Sequence, residues 1–314
     1  DGLTQQAHEG ALARPPLPEE ADRQREWGVR SGNYGGHHPH VRRHVEVVLI
    51  APDYEGGEAE TGLIRITGRK VPQDPEDRIM RWSALQKAIA EACSAQRFDV
   101  IHIHTPFLAQ YAGVRAARRF ALPVLATYHT LFEEYLHHYV PMLPRSLGRR
   151  LARGISRSQC NALDAVISPS TAMKSSLLEY GVGTAITVLP TGIDGSCLVY
   201  GNGLAFRRKH GIDPDRPVLL FVGRVAHEKN IGFLLRMMAE LRPHRPDALL
   251  IIAGEGPALP AVRAEAERLG IFDAILFVGY LDRGGELQDC YRAADLFVFA
   301  SLTETQGLVL LEAM

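Results

Sequence analysis

Short, nearly continuous Val/Ile/Leu runs bounded by Pro, Gly or Ser recur along this chain, and they constrain its fold more than any other feature. They are VEVVLIAP (45–52), FDVIHIHTP (98–106), LPVLATYHT (122–130), DAVISPS (164–170) and AITVLPTG (185–192), then PVLLFVGR (217–224), DALLIIAG (247–254), DAILFVGY (273–280) and DLFVFAS (295–301). A strand with one wet face alternates apolar and polar residues. A run that is apolar at nearly every position is covered on both faces, as in a parallel sheet. Helical stretches at 81–95, 107–119, 145–161 and 171–180 separate the earlier runs, and stretches near 230–241, 258–269 and 285–293 separate the later ones. Such alternation predicts α/β, doubly wound domains.

The glycine-rich stretch GIDGSCLVYGNG (192–203) interrupts the pattern. Dividing the chain there predicts two Rossmann-like domains, 44–198 and 199–314, facing across a cleft. With 314 residues and 46% hydrophobic content, two cores are within reach. Residues 1–43 are polar, Pro-interrupted and turn-rich, and are expected to be irregular. The chain does not start with Met, and Met314 falls about two turns into a helix expected after Gly307. The fold is therefore expected to be truncated at both ends, with exposed sheet edges and marginal stability.

A net charge of −1 advertises no nucleic-acid partner. Cys93, Cys160, Cys197 and Cys290 form no C-x-x-C pair and read as free thiols of a reducing compartment. No apolar run approaches the roughly 18 residues that span a bilayer, and the N-terminus has no signal-peptide pattern. A cytoplasmic location is expected. His37, His38, His40 and His44 could gather a metal, but read as part of a polar segment. His102 and His104 point to one face of their strand and are expected to be structural or cleft-lining.

In open parallel sheets ligands sit at the carboxyl ends of the strands, so the loops there matter most. After the first strand of the second half comes GRVAHEKN, with Arg224 and Lys229 at a helix entrance. GEGPAL follows the second strand, with Gly254 and Gly256, and SLTETQG follows the fourth, with Glu304 and Gly307. Helix N-termini and two cations suit a diphosphate, each charge-assisted hydrogen bond contributing about 1.5–3 kcal/mol. Glu304 and Glu312 would repel phosphate, but they can accept hydrogen bonds from sugar and ribose hydroxyls. A nucleotide sugar fits both requirements without a metal. Gly254 and Gly256 also resemble the opening of a dinucleotide fingerprint, but Pro257 and the missing third glycine argue against it.

GRVAHEKN, AGEGP, FVGY and TETQGLVLLEAM together resemble the C-terminal domain of glycosyltransferase family 4, retaining enzymes of the GT-B fold. The two glutamates eight residues apart, with Gly307 between them, are the most specific piece. ATYHTLFEEY, ISRSQCNALDAVISPS and VLPTGID are similar to the N-terminal domain of the family's bacterial diacylglycerol glucosyltransferases. The resemblance implies that Arg224 and Lys229 hold the diphosphate, Glu304 the donor-sugar hydroxyls and Glu312 the ribose. It further implies that Gly254, Gly256, Gly279, Gly307 and Leu308 line the donor site, with Gly307 bringing backbone N–H groups close. His129 would lie beside the donor sugar. The implied reaction moves a hexose, glucose from UDP-glucose, to a lipid acceptor such as diacylglycerol, with no cofactor or metal. Phosphatidylinositol with GDP-mannose, a small soluble alcohol, or a non-catalytic nucleotide-sugar-binding remnant stay open as alternatives. One departure is clear: the family's opening strand, glycine loop and helix are not recognisable, and Gly35 and Gly36 receive no role.

LPRSLGRRLARGISRSQ (143–159) carries Arg145, Arg149, Arg150, Arg153 and Arg157 with no acid among them. Leu143, Leu147, Leu151 and Ile155 recur every fourth residue between the cations. Such a basic amphipathic helix can lie on an anionic membrane surface, at the inner face of the plasma membrane. Alternatively, the apolar stripe faces the domain core and the arginines are solvated.

Overall fold

The computed structural model describes residues 45–53, 62–71, 74–129, 133, 144–193, 201–282, 284–301 and 303–314. The features at 1–44, among them Gly35, Gly36, His37, His38, His40 and His44, lie outside the described residues, as do Leu143 and Cys197.

Strands β1 (Leu49–Pro52) and β2 (Leu63–Ile66) pair in parallel, and β3 (Gly68–Val71) pairs antiparallel with β4 (Asp74–Met80). The β3–β4 ladder was not legible in advance, because Arg69, Lys70, Pro72 and Pro75 hide any strand period. Helix α1 (Trp82–Ala95) then leads into β5 (Ile101–Ile103), α2 (Leu108–Phe120), β6 (Val124–Thr127), α3 (Arg145–Cys160), β7 (Ala165–Ser168), α4 (Thr171–Glu179) and β8 (Ile186–Val188). Strands β5 to β8 form a parallel sheet in sequence order. Ser170 caps α4, its hydroxyl accepting from the Met173 N–H. Ile103, Val124, Val166, Cys160, Met173 and Leu177 close one core around that sheet.

The second half opens with α5 (Gly203–Lys209), which starts at the last residue of the glycine-rich stretch, and continues through β9 (Val218–Val222), α6 (Ile231–Leu241), β10 (Leu249–Ala253), α7 (Leu259–Arg268), β11 (Ile275–Gly279), α8 (Glu286–Ala293), β12 (Leu296–Phe297) and α9 (Leu308–Ala313). Every residue of β9 and β10 is buried, for the reason the continuous apolar runs suggested. Leu219, Phe221, Leu250 and Ile252 face α6 and α7 through Leu234, Leu235, Met238 and Val262. Val218, Leu220, Val222, Leu249 and Ile251 face the other way, onto Phe206 of α5 and Leu287 and Cys290 of α8. Each such side chain contributes about 1.5–3 kcal/mol by leaving water.

Helix α5 is anchored by a buried cation. Arg207 donates from Nε to the Ala293 carbonyl, from Nη1 to the carbonyls of Asp213, Pro214 and Arg216, and from Nη2 to the Asp295 carboxylate. The strand order β11-β10-β9-β12 has one consequence for the site. The chain runs outward from β9 through β10 to β11, then returns to the opposite side of β9 as β12. The carboxyl end of β9 is therefore a topological switch point, where connecting loops part and leave a crevice.

Helix α3 bears on the two readings of its apolar stripe. Its buried face is Gly148, Ala152, Ser156, Gln159 and Cys160, small or polar residues that let the helix approach closely. Ser156 is seated by Tyr128, their hydroxyls 2.7 Å apart. Leu147 and Leu151 stay 53% and 50% exposed while Ile155 is half-buried, so these two leucines of the stripe do not face the core.

Candidate active site

Lys229 ends the single 3-10 turn His227–Lys229 between β9 and α6, and Glu304 sits in the loop between β12 and α9. These two loops flank the switch point, and there the side chains meet: Lys229 Nζ donates to Glu304 Oε1 at 2.5 Å. Both are largely shielded, at 17% and 25% exposure. Arg224 lies half-buried at the start of the Lys229 loop, just past Gly223, whose N–H bonds the Ala253 carbonyl. Asn230, in the left-handed region at φ 52°, turns the chain into α6 and donates from Nδ2 to the Ala300 carbonyl at 3.3 Å. That bond ties the Lys229 loop to the segment leading to Glu304.

The glycines of the neighbouring loop have a packing reason. Gly254, at φ 137°, lies so close to the β9 loop that an added Cβ would fall 1.9 Å from the Gly223 carbonyl oxygen. Val225 donates to the Glu255 carbonyl, and Ala258 donates back to the Val225 carbonyl. Gly256 lies against Val225, and Gly279, at the end of β11, accepts from the Gly254 N–H at 2.7 Å. Only an unsubstituted backbone allows three strand ends to converge this tightly.

Gly307, at φ 72°, sets the sharp entry into α9. The Leu308 side chain is buried, so any ligand contact it made would come from its main chain. Within α9, Glu312 accepts a hydrogen bond from the Tyr291 hydroxyl of α8 at 3.0 Å. Gln306, between Glu304 and Gly307, reaches out of its own half: its Oε1 accepts from the Thr191 N–H and its Nε2 donates to the Thr191 carbonyl, both at 2.8 Å. Neither Tyr291 nor Gln306 stood out in the sequence, although TETQG places Gln306 beside the residues that did.

In the first half, His129 follows β6 and lies half-buried. Its ring stacks at 5.8 Å on His104, which lies 3.9 Å from His102; His102 in turn bonds the Thr127 hydroxyl at 2.8 Å. His104, Thr105, Pro106, Tyr128 and His129 line one recess with Gln110. Among the described residues, no three His, Cys, Asp or Glu side chains gather as a metal site.

The arginines of α3 are divided. Arg153 and Arg149 converge on Glu133, Arg153 Nε donating at 2.5 Å and Arg149 Nη2 lying 3.5 Å away. Burial alone would raise the Glu133 carboxyl, but the Arg153 hydrogen bond and the two guanidinium charges outweigh it and hold it below the ordinary 4.5. The guanidinium of Arg153 also lies over the Tyr180 ring, and that of Arg157 lies beside Gly181. Arg150 is exposed next to Leu147 and Leu151, and Arg145 opens the helix. Among the described residues, no helix is long and apolar enough to cross a membrane.

Comparison with known proteins sets these features in a family. Residues 40–196, half of the chain, match Glycosyltransferase Family 4, and residues 204–314 match Glycosyl transferases group 1. The chain is 33% identical over 256 residues to the alpha-monoglucosyldiacylglycerol synthase of Streptococcus pneumoniae, covering 78% of this chain and 57% of that one. It is 35% identical over 232 residues to a D-inositol 3-phosphate glycosyltransferase of Catenulispora acidiphila, covering 69% of this chain and 52% of that one. It thus spans little more than half the length of these relatives. Among solved structures, Anabaena HepE in complex with UDP-glucose superposes with a TM-score of 0.63 at 18% identity, over 80% of this chain and 64% of that one. Two α/β halves with parallel sheets, matched by these families and by that structure, make the chain a member of glycosyltransferase family 4 with the GT-B fold.

Proposed function

We propose that this chain carries the donor site of an enzyme that transfers glucose from UDP-glucose to a lipid acceptor such as diacylglycerol, with retention of anomeric configuration, at a membrane surface. One observation carries the reading: Lys229 and Glu304 meet at the switch point of the second sheet, a cation and a carboxylate side by side where an α/β sheet takes its ligand.

The chemistry follows from that pairing. The bond from the sugar C1 to the diphosphate oxygen breaks, a bond from C1 to the acceptor oxygen forms, and the acceptor proton passes to the departing diphosphate. Negative charge grows on the diphosphate, and preorganised donors stabilise it. Lys229 has three N–H donors, so it can keep Glu304 and still reach a phosphate oxygen; Arg224, on the same loop, supplies a second cation. Glu304 then accepts from sugar hydroxyls, and Glu312, oriented by Tyr291, from the ribose. With positive charge supplied by side chains, turnover is expected to persist in EDTA.

The streptococcal relative, an alpha-monoglucosyldiacylglycerol synthase, supports the lipid acceptor, and the UDP-glucose bound to HepE supports the donor. The exposed Leu147 and Leu151 beside Arg150 support action at an anionic surface, with the protein peripheral at the inner face of the plasma membrane. A small soluble alcohol is the second reading, favoured by the inositol phosphate relative at 35% identity. The test offers the protein UDP-glucose or GDP-mannose with diacylglycerol in anionic vesicles or with inositol 3-phosphate, and identifies the product. Glucosyl-diacylglycerol formation, abolished by Glu304→Ala, is expected. A product only from inositol phosphate selects the second reading, and unchanged turnover in Glu304→Ala removes the site.

A further inference from the structure

Gln306 joins the donor-site loop to the chain leaving the first half. Its two hydrogen bonds, both 2.8 Å, engage the N–H and the carbonyl of the same residue, Thr191, 115 positions away. A primary amide presents a donor and an acceptor side by side, which is what pairing both groups of one residue requires. Asn would fall one methylene short, and a carboxylate would set an oxygen against the Thr191 carbonyl. Gln306 and Thr191 are both half-buried, so water competes only in part for these bonds. Two residues before Gln306, Glu304 is bonded to Lys229 of its own half. The segment from Glu304 to Gly307 is thus held between two anchors, one in each half, and Gly307 ends it in a left-handed turn into α9.

We propose that Gln306 is a positioning residue that sets Glu304 by its grip on Thr191, so that the donor-sugar contact depends on the chain crossing between the halves. This rests on the reading that Glu304 holds the donor sugar while Arg224 and Lys229 hold the diphosphate. It assigns the two parts of the donor to different controls. The diphosphate contacts belong to the second half alone, whereas the sugar contact is also answerable to Thr191. Movement at 190–193 would loosen the sugar and leave the nucleotide bound.

The test measures calorimetric affinities of the intact chain for UDP, UDP-glucose, GDP and GDP-mannose, with Gln306→Glu as the variant. In the wild type, one nucleotide sugar is expected to bind more tightly than its own diphosphate. In Gln306→Glu the diphosphate affinity is expected to stay within about twofold, while the sugar's advantage falls by up to about 10- to 100-fold, the scale of one lost charge-assisted hydrogen bond. A purely structural Gln306 would lower the melting temperature and leave that advantage intact, which would overturn the proposal. If Gln306→Glu does not fold, Gln306→Met, similar in size and uncharged, is read in the same way. Wild-type binding of none of the four ligands would instead sink the donor-site reading itself, and this inference with it.

Discussion

Replacing Glu304 by Gln has a prediction with a counterintuitive sign. In the ligand-free protein, Glu304 holds Lys229 at 2.5 Å, with both side chains mostly shielded from water. A diphosphate arriving at Lys229 must share that ammonium with a carboxylate and approach a like charge. Relieving this contributes about 1 kcal/mol even with the screening of bulk water, about fivefold in Kd. Glu304→Gln is therefore expected to bind UDP about fivefold more tightly than wild type, while losing the additional affinity for UDP-glucose and its transfer. Lys229→Met removes a charge-assisted hydrogen bond to phosphate, and should weaken UDP by about 1.5–3 kcal/mol, roughly 10- to 150-fold. The assay is titration calorimetry with UDP at low salt, repeated at higher ionic strength, where both effects should shrink. If Glu304→Gln weakens UDP tenfold, or Lys229→Met leaves it unchanged, the carboxylate and the ammonium do not border the diphosphate.

Other outcomes follow from the same contacts. Glu133 has a depressed carboxyl, so its contribution is complete above the ordinary value of 4.5 and is lost as pH falls through its lower folded value. The stability gap between wild type and Glu133→Gln, followed by urea unfolding, should be full at about pH 7 and shrink steadily as pH falls below 4.5. Arg207→Met leaves four carbonyls without their donor, and should cost about 3–5 kcal/mol in the same assay; a loss below about 1 kcal/mol would refute the anchoring role. Leu147→Ser with Leu151→Ser and Arg150→Glu should abolish flotation with anionic vesicles while leaving the melting temperature nearly unchanged, because all three side chains are exposed. Undiminished flotation would move any membrane contact elsewhere.

Much of this fold could be read from the chain because its strands are buried on both faces. Positions in VLLFV and LLIIA face one core or the other, so burial shows as unbroken hydrophobicity, and helix limits come within a residue or two of those expected. Lys229 was legible because it follows such a strand and Glu304 because it follows the apolar run DLFVFAS, and the strand order then brings together residues 75 positions apart. What stayed hidden in the sequence has physical causes too. In α3 the seated face is built from Gly148, Ala152 and Ser156, which carry little hydrophobic signal but pack closest, so the conspicuous leucines end up outside. Arg207 stands in a run of three cations and looks like surface until its carbonyl partners are visible. The Gln306 to Thr191 contact spans the two halves, and no local pattern records it. Likewise Glu133 lies outside the arginine helix whose charge it offsets.

A crystal structure with UDP-glucose bound tests the account most directly. It should show the diphosphate in the crevice between the loops that follow β9 and β12, touching the Lys229 ammonium and the Arg224 guanidinium, with glucose hydroxyls on Glu304. Density for the nucleotide anywhere else, with the Lys229–Glu304 pair undisturbed and empty of ligand, would contradict it.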